Sequence, residues 1–158
     1  MNGDEPVEIV EGVRVRGRID RVDVWDRYAL VRDYKSGKSA DTYKVASWES
    51  KNRLQAPLYM LAVRELLGLE PAGGVYVPLG HDKVQARGMV AEDVEQVGSG
   101  FIRTDRLPRA DFDARLEWAR ERIADTAGRM RRGELSCNPE TCAWNGGCSY
   151  PSICRTEE

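Results

Sequence analysis

Asp20, Asp33 and Lys35 are the residues of this 158-residue chain whose types and spacing first suggest chemistry. Asp33 and Lys35 lie two apart in Tyr28-Ala-Leu-Val-Arg-Asp-Tyr-Lys35, which reads as a strand, so both point to one face. Ala29 and Val31 share that face. The charges therefore end an otherwise apolar surface, which is costly unless they bind something. Asp20 ends the neighbouring strand segment, and an antiparallel hairpin would bring it beside Asp33. Two carboxylates suit a hard, oxygen-seeking Mg²⁺. Such an ion polarises a phosphate and acidifies a water, and the ammonium offers charge to the attacking water or to the developing anion. Asp-x-Lys is also a common triplet, and a surface hairpin with ordinary ion pairs fits the spacing equally. Gln55 and Tyr59, at i and i+4, share one helix face. Their amide and hydroxyl could position a phosphate or orient the lysine, or be a half-buried tyrosine with a polar neighbour.

A second group lies at the far end. All four cysteines, Cys137, Cys142, Cys148 and Cys154, fall in the last 22 residues. In a cytoplasmic chain such clustering points to metal or cluster ligation before disulfides. Four thiolates can hold a [4Fe–4S] cluster or tetrahedral Zn²⁺. The lack of a Cys-x2-Cys knuckle weighs against zinc, and two disulfides remain open. Pro139, Gly146, Gly147 and Pro151 interrupt this loop, and Trp144, Tyr150 and Ile153 are its large apolar groups. Metal–thiolate bonds would offset the entropy of ordering it. The single histidine, His81, falls in an expected Gly80-to-Lys83 turn, as a surface residue.

The elements that must position these groups follow from periodicity. From Val7 the pattern is strand-like, and Val13, Val15, Gly17 and Ile19 alternate with polar residues. The parity changes at Asp20 and Arg21, which predicts a bulge or turn there. Residues 28–35 form the next strand. Residues 48–67 read as a helix with Leu54, Leu58, Leu61 and Ala62 in one stripe, Pro57 kinking it or in its first turn, and Gly68 as its stop. Val75–Leu79 and Val84–Val90 read as strands, with Pro78 at a strand end or on an edge strand. Residues 91–110 carry little signal. Asp111 is expected to cap a long helix with the stripe Leu116, Ala119, Ile123, Ala127 and Met130, stopped by Gly133. The order β, β, α, β, β, α predicts a layered α/β fold, not a doubly wound parallel sheet.

Composition narrows the class. With 41% hydrophobic and 32% charged residues, the length suits one domain. The longest apolar stretch is broken by Arg64 and Glu65, so no membrane span is expected. The acidic start lacks a secretory signal, and the expected localisation is cytoplasmic. A net charge of −2 argues against coating nucleic acid by bulk charge. Of the 24 cations 19 are arginine, which suits phosphate contacts but also fits a GC-rich genome.

Gly17-Arg-Ile-Asp-Arg-Val-Asp23, Asp33-Tyr-Lys-Ser-Gly37 and Gln55-Ala-Pro-Leu-Tyr59, in this order, resemble the RecB-like branch of the PD-(D/E)XK nuclease superfamily. The ending Cys148-Ser-Tyr-Pro-Ser-Ile-Cys154-Arg155 is similar to the cysteine tails of its AddB-type and CRISPR-associated exonuclease members, which bind a [4Fe–4S] cluster. The resemblance implies a restriction-endonuclease-like α/β core, a mixed β-sheet flanked by helices, with a C-terminal cysteine staple. It implies a core over 7–135 and a cluster-binding tail over 136–158. Asp20 and Asp33 become ligands of Mg²⁺ or Mn²⁺, the Tyr34 carbonyl a further ligand, Lys35 the catalytic lysine, and Gln55 and Tyr59 the helical motif. The four cysteines become cluster ligands. The implied activity is metal-dependent, exonuclease-type hydrolysis of DNA, in repair, recombination or CRISPR adaptation. DNA is the partner, with a helicase or an adaptation subunit beside it.

The family pattern also includes a helix-borne glutamate before the first strand. Residues ahead of Val13 do not read as a helix, and Glu8 and Glu11 are poor substitutes. Nor does any cysteine precede the nuclease motifs; Cys137 would stand in for it. The rival reading is therefore a catalytically incomplete DNA-binding or scaffold module of the same fold. A third is a small zinc-binding interaction domain in which Asp-x-Lys is chance.

Overall fold

The structure is a computed structural model that describes residues 5–37, 41–80, 84–98 and 100–134. All four cysteines and His81 lie outside these residues, and so does the expected cysteine staple. The chain divides into two compact units, Met1–Ala124 and Asp125–Glu158.

The first unit opens with a hairpin of β1 (Val7–Val10) and β2 (Val13–Val15), antiparallel around Glu11 and Gly12. The alternation seen from Val13 to Ile19 does not continue as one strand. It stops at Val15, and residues 16–19 form a connection. A five-stranded mixed sheet follows in the order β3-β4-β5-β6-β7. β3 (Arg21–Trp25) and β4 (Tyr28–Lys35) form the expected antiparallel hairpin, turning at Asp26 and Arg27. Asp23 locks it, accepting from the Nε atoms of Arg21 and Arg32, each at 2.6 Å. The two guanidiniums outweigh the effect of burial and hold the Asp23 carboxyl below its ordinary range.

β4 pairs in parallel with β5 (Glu70–Pro78), and helix α1 (Gln55–Leu67) makes the crossover. A parallel pair requires such a connection. β5 is the central strand and nearly all of it is buried, so its apolar run shows no alternation. Pro78 sits at its end. A Cβ on Gly74 would lie 2.9 Å from the Met60 side chain, so glycine lets α1 approach the sheet closely. β6 (Arg87–Ala91) is antiparallel to β5, and the two-residue β7 (Arg106–Leu107) is parallel to β6. β6 begins three residues later than the sequence pattern suggested, and Val84 is exposed.

The helix expected over 48–67 is two elements. A short helical turn at Val45–Ser47 runs on through Trp48 and ends at Asn52, which is left-handed at φ 48°. The Arg53 N–H closes on the Trp48 carbonyl at 2.9 Å and the Asn52 N–H on that of Glu49 at 3.2 Å, the bond pair of a Schellman stop. The leucine stripe gave no sign of this break because it begins only after it, at Leu54. α1 then starts at Gln55, with Pro57 in its first turn and left-handed Gly68 as its stop. α2 (Arg109–Arg131) also starts earlier than expected. Asp111 lies inside its first turn, and the Pro108 carbonyl accepts the Phe112 N–H at 2.9 Å. Phe112, Leu116, Ala119 and Ile123 are its buried residues. In the second unit, Arg129 and Arg132 both pair with Glu134.

Candidate active site

Pairing of β3 with β4 stops at Arg21 opposite Arg32. The last three residues of β4 therefore have β5 on one side only. Asp20, exposed in the bend before β3, fills the open side: its Oδ2 accepts the Tyr34 N–H at 2.8 Å. The N–H and C=O of one strand residue point to the same lateral side. The Tyr34 carbonyl is thus turned toward the side that Asp20 occupies, while the Lys35 carbonyl bonds the Leu79 N–H at 2.8 Å across β5. The parity break noted at Asp20 and Arg21 is what puts the Asp20 carboxylate against the β4 backbone.

On the face that meets α1, Asp33 is 3% exposed. Its Oδ2 lies 2.6 Å from Lys35 Nζ, yet off the angles of a hydrogen bond, so this buried oxygen has no hydrogen-bond partner among the described residues. Lys35 Nζ donates to Gln55 Oε1 at 2.7 Å, and Gln55 Nε2 donates to the Tyr59 hydroxyl at 3.0 Å. One polar chain thus runs from the sheet to the first two turns of α1: Asp33, Lys35, Gln55, Tyr59. It forms because α1 begins at Gln55, beside the C-terminal end of β4.

Tyr76 carries the arrangement from below, and sequence reasoning missed it. It faces Asp33 across the β4–β5 register and is 2% exposed. Its hydroxyl accepts the Ala56 N–H at 3.1 Å, satisfying one of the free donors in the first turn of α1. Lys35 Nζ lies 5.6 Å from its ring centroid. Tyr43 stacks on it at 4.9 Å, and Trp48 meets it edge-on at 6.0 Å. Burial pushes the Tyr76 phenol up to about 12; the Ala56 N–H opposes this and the neighbouring Asp33 adds to it. Tyr76 therefore acts as a neutral acceptor for the helix. Its only sequence signal was membership of an apolar strand; the register against β4 could not be read.

Glu8 is not at this site. Its Oε1 accepts the Gly12 N–H at 3.0 Å inside the β1–β2 turn, and Glu11 is exposed in that turn. Among the described residues ahead of β3, the regular structure is the β1–β2 hairpin. Among the described residues no group of three or more Asp, Glu, His or Cys side chains converges to hold a metal. The donors that are present, two carboxylates and a carbonyl, are all hard oxygens. The Asp33 oxygen that lacks a hydrogen bond, already paired with a cation at 2.6 Å, fits a site for Mg²⁺, which is commonly bound by one or two carboxylates with waters and substrate phosphate.

The model of the PD-(D/E)XK nuclease superfamily matches residues 3–155. No curated protein and no solved structure matched the chain.

Proposed function

The chain belongs to the PD-(D/E)XK nuclease superfamily, whose members are generally metal-dependent nucleases, and from that premise we propose that it hydrolyses DNA phosphodiester bonds. The observation that carries this reading is the buried Asp33 carboxylate, with an unbonded oxygen, beside a lysine tethered to Gln55.

In this reading Asp20, Asp33 and the Tyr34 carbonyl would hold Mg²⁺ or Mn²⁺. The ion, when bound, would polarise the phosphate and acidify a water. Lys35, fixed by the Gln55 oxygen, keeps a proton donor and a positive charge at the rim where the anion develops. Gln55 needs its orientation fixed for this, and the Tyr59 hydroxyl accepts its amide hydrogen. The fully buried face beneath supports the arrangement by keeping its geometry rigid.

Exonuclease mode, and a role in repair, recombination or CRISPR adaptation beside a helicase or adaptation subunit, belong to the same proposal through the motifs Asp33-Tyr-Lys and Gln55-x3-Tyr59. So does a [4Fe–4S] cluster on Cys137, Cys142, Cys148 and Cys154, with Zn²⁺ as its rival. Iron, sulfide and zinc analysis after anaerobic purification decides between them. A second reading, a DNA-binding module of the same fold without activity, draws on the absence of a third acid among the described residues.

The deciding experiment incubates the protein with end-labelled single- and double-stranded DNA in Mg²⁺, Mn²⁺ or EDTA. Cleavage that needs the metal and disappears in Asp33→Asn supports the nuclease. DNA binding without cleavage under every condition supports the inactive module.

A further inference from the structure

Arg53 stands apart from the arginines that the fold ties to carboxylates. Arg32 is tied to Asp23, Arg87 to Asp105, Arg109 to Asp93 and Arg120 to Glu65. Arg53 has no carboxylate within ion-pair distance among the described residues, and its Nε is buried without a hydrogen-bond partner. A guanidinium is always charged and presents five N–H donors in a rigid fork. Among the described residues its terminal N–H groups make no hydrogen bond either, and it is these, not the covered Nε, that a ligand can reach; a charged fork left without partners by the fold is economically explained by a ligand.

The position is built. Left-handed Asn52 turns the chain, the Arg53 N–H is fixed on the Trp48 carbonyl at 2.9 Å, and Arg122 Nε holds the Asn52 side chain at 3.0 Å. The guanidinium carbon lies 4.7 Å from the centroid of Tyr43, which stacks on Tyr76 at 4.9 Å; Lys35 Nζ is 5.6 Å from the Tyr76 centroid. One pair of stacked tyrosines therefore carries both the site's lysine and an arginine free of carboxylates. The Arg53 charge is also felt at the Tyr76 hydroxyl, where it opposes the upward pull of burial.

We propose that Arg53 is a substrate-binding residue that grips a backbone phosphate of the nucleic acid strand next to the one at Asp33 and Lys35, with Tyr43 as the platform that aims its fork. This rests on the nuclease reading. A polynucleotide carries phosphates on both sides of the bond being cut, and a planar fork beside an aromatic face suits bidentate phosphate binding.

The test measures binding of fluorescein-labelled single-stranded and duplex DNA by anisotropy across a range of salt. Ca²⁺ replaces Mg²⁺ so that a hard cation is present. Arg53→Gln should flatten the slope of log K against log salt by about 0.7 on single strands or about 0.9 on duplex, the loss of one phosphate contact. Arg53→Lys keeps the charge and the stem, so it should keep the slope and lose roughly tenfold in affinity with the bidentate bond. The Lys variant decides if the Gln variant does not fold. A wild-type slope in Arg53→Gln, or wild-type affinity in Arg53→Lys, overturns the assignment while wild-type cleavage leaves the nuclease reading standing. Wild-type protein that neither binds nor cuts DNA overturns both.

Discussion

Asp33 is the residue on which burial and charge conflict most. A carboxylate 3% exposed, with one oxygen that makes no hydrogen bond, carries a desolvation cost that the Lys35 ion pair offsets in part. Breaking a buried ion pair is usually expensive because a lone charge is left behind. Here the lysine left behind has 27% of its side chain exposed and keeps the Gln55 oxygen. Relief of the carboxylate's desolvation should therefore roughly balance the lost attraction. Asp33→Asn is expected to change stability by about 1 kcal/mol or less, read as a melting shift within roughly 2–4 °C. The same change should lower cleavage by roughly 10²–10³-fold, the usual loss when a group aimed at developing charge is removed. Activity retained at wild-type level would remove Asp33 from the chemistry.

At the scale of elements, the two ends of the site are held by different devices. The β3–β4 hairpin is clamped by Asp23 between Arg21 and Arg32, and this is what delivers Asp20 to the Tyr34 N–H. The clamp lowers the Asp23 pKa from 3.8, so the folded state binds that proton less readily than the unfolded chain. Its stabilisation is present above the unfolded value and is lost as pH falls through the folded one. Asp23→Asn should melt below wild type at pH 7, with the gap closing as pH drops below about 4. A gap that persists unchanged at pH 3 would mean Asp23 acts through shape alone. The helix end of the site depends on Tyr76. Tyr76→Phe leaves the Ala56 N–H, the donor now served by the phenol, without its acceptor. That costs about 1–3 kcal/mol by thermal or urea unfolding and loosens Gln55 against Lys35. Unchanged stability would show that water serves Ala56 instead. The hairpin, the β4 face and the i, i+4 pair on α1 were legible because each rests on local spacing. The break at Asn52 was not, since the apolar stripe begins only after it, at Leu54, and the Schellman bonds leave no periodic trace. Tyr76 was hidden for a different reason: its role comes from a parallel register across 43 residues.

For the whole molecule, the question is whether these devices add up to a site that takes up a cation. The packed core gives the site a rigid floor: Val31, Val75 and Met89 of the sheet and Met60 of α1 are all at or below 2% exposure, and Asp105 fastens β6 by accepting from Arg87 and the Gly88 N–H. A floor of this kind does not rearrange to relieve the buried Asp33 carboxylate, and in the nuclease reading a divalent ion held by Asp20 and Asp33 is the economical way to relieve it. Anything that binds the folded state alone stabilises it by RT ln(1 + [L]/Kd). Mg²⁺ at ten times its Kd would then add about 1.4 kcal/mol, a rise of roughly 3–6 °C for a chain of this size. The rise should saturate with Mg²⁺ and reverse with EDTA, and it should vanish in Asp20→Asn and Asp33→Asn. Because the measurement needs no substrate, it separates metal uptake from catalysis. A protein that is inactive yet shows the saturable shift has an intact metal site and lacks another component of the reaction. A shift of equal size in both variants would place the Mg²⁺ elsewhere on the chain and would leave the Asp20–Asp33 pair with a purely structural part, fixing the Tyr34 backbone and the Lys35 side chain.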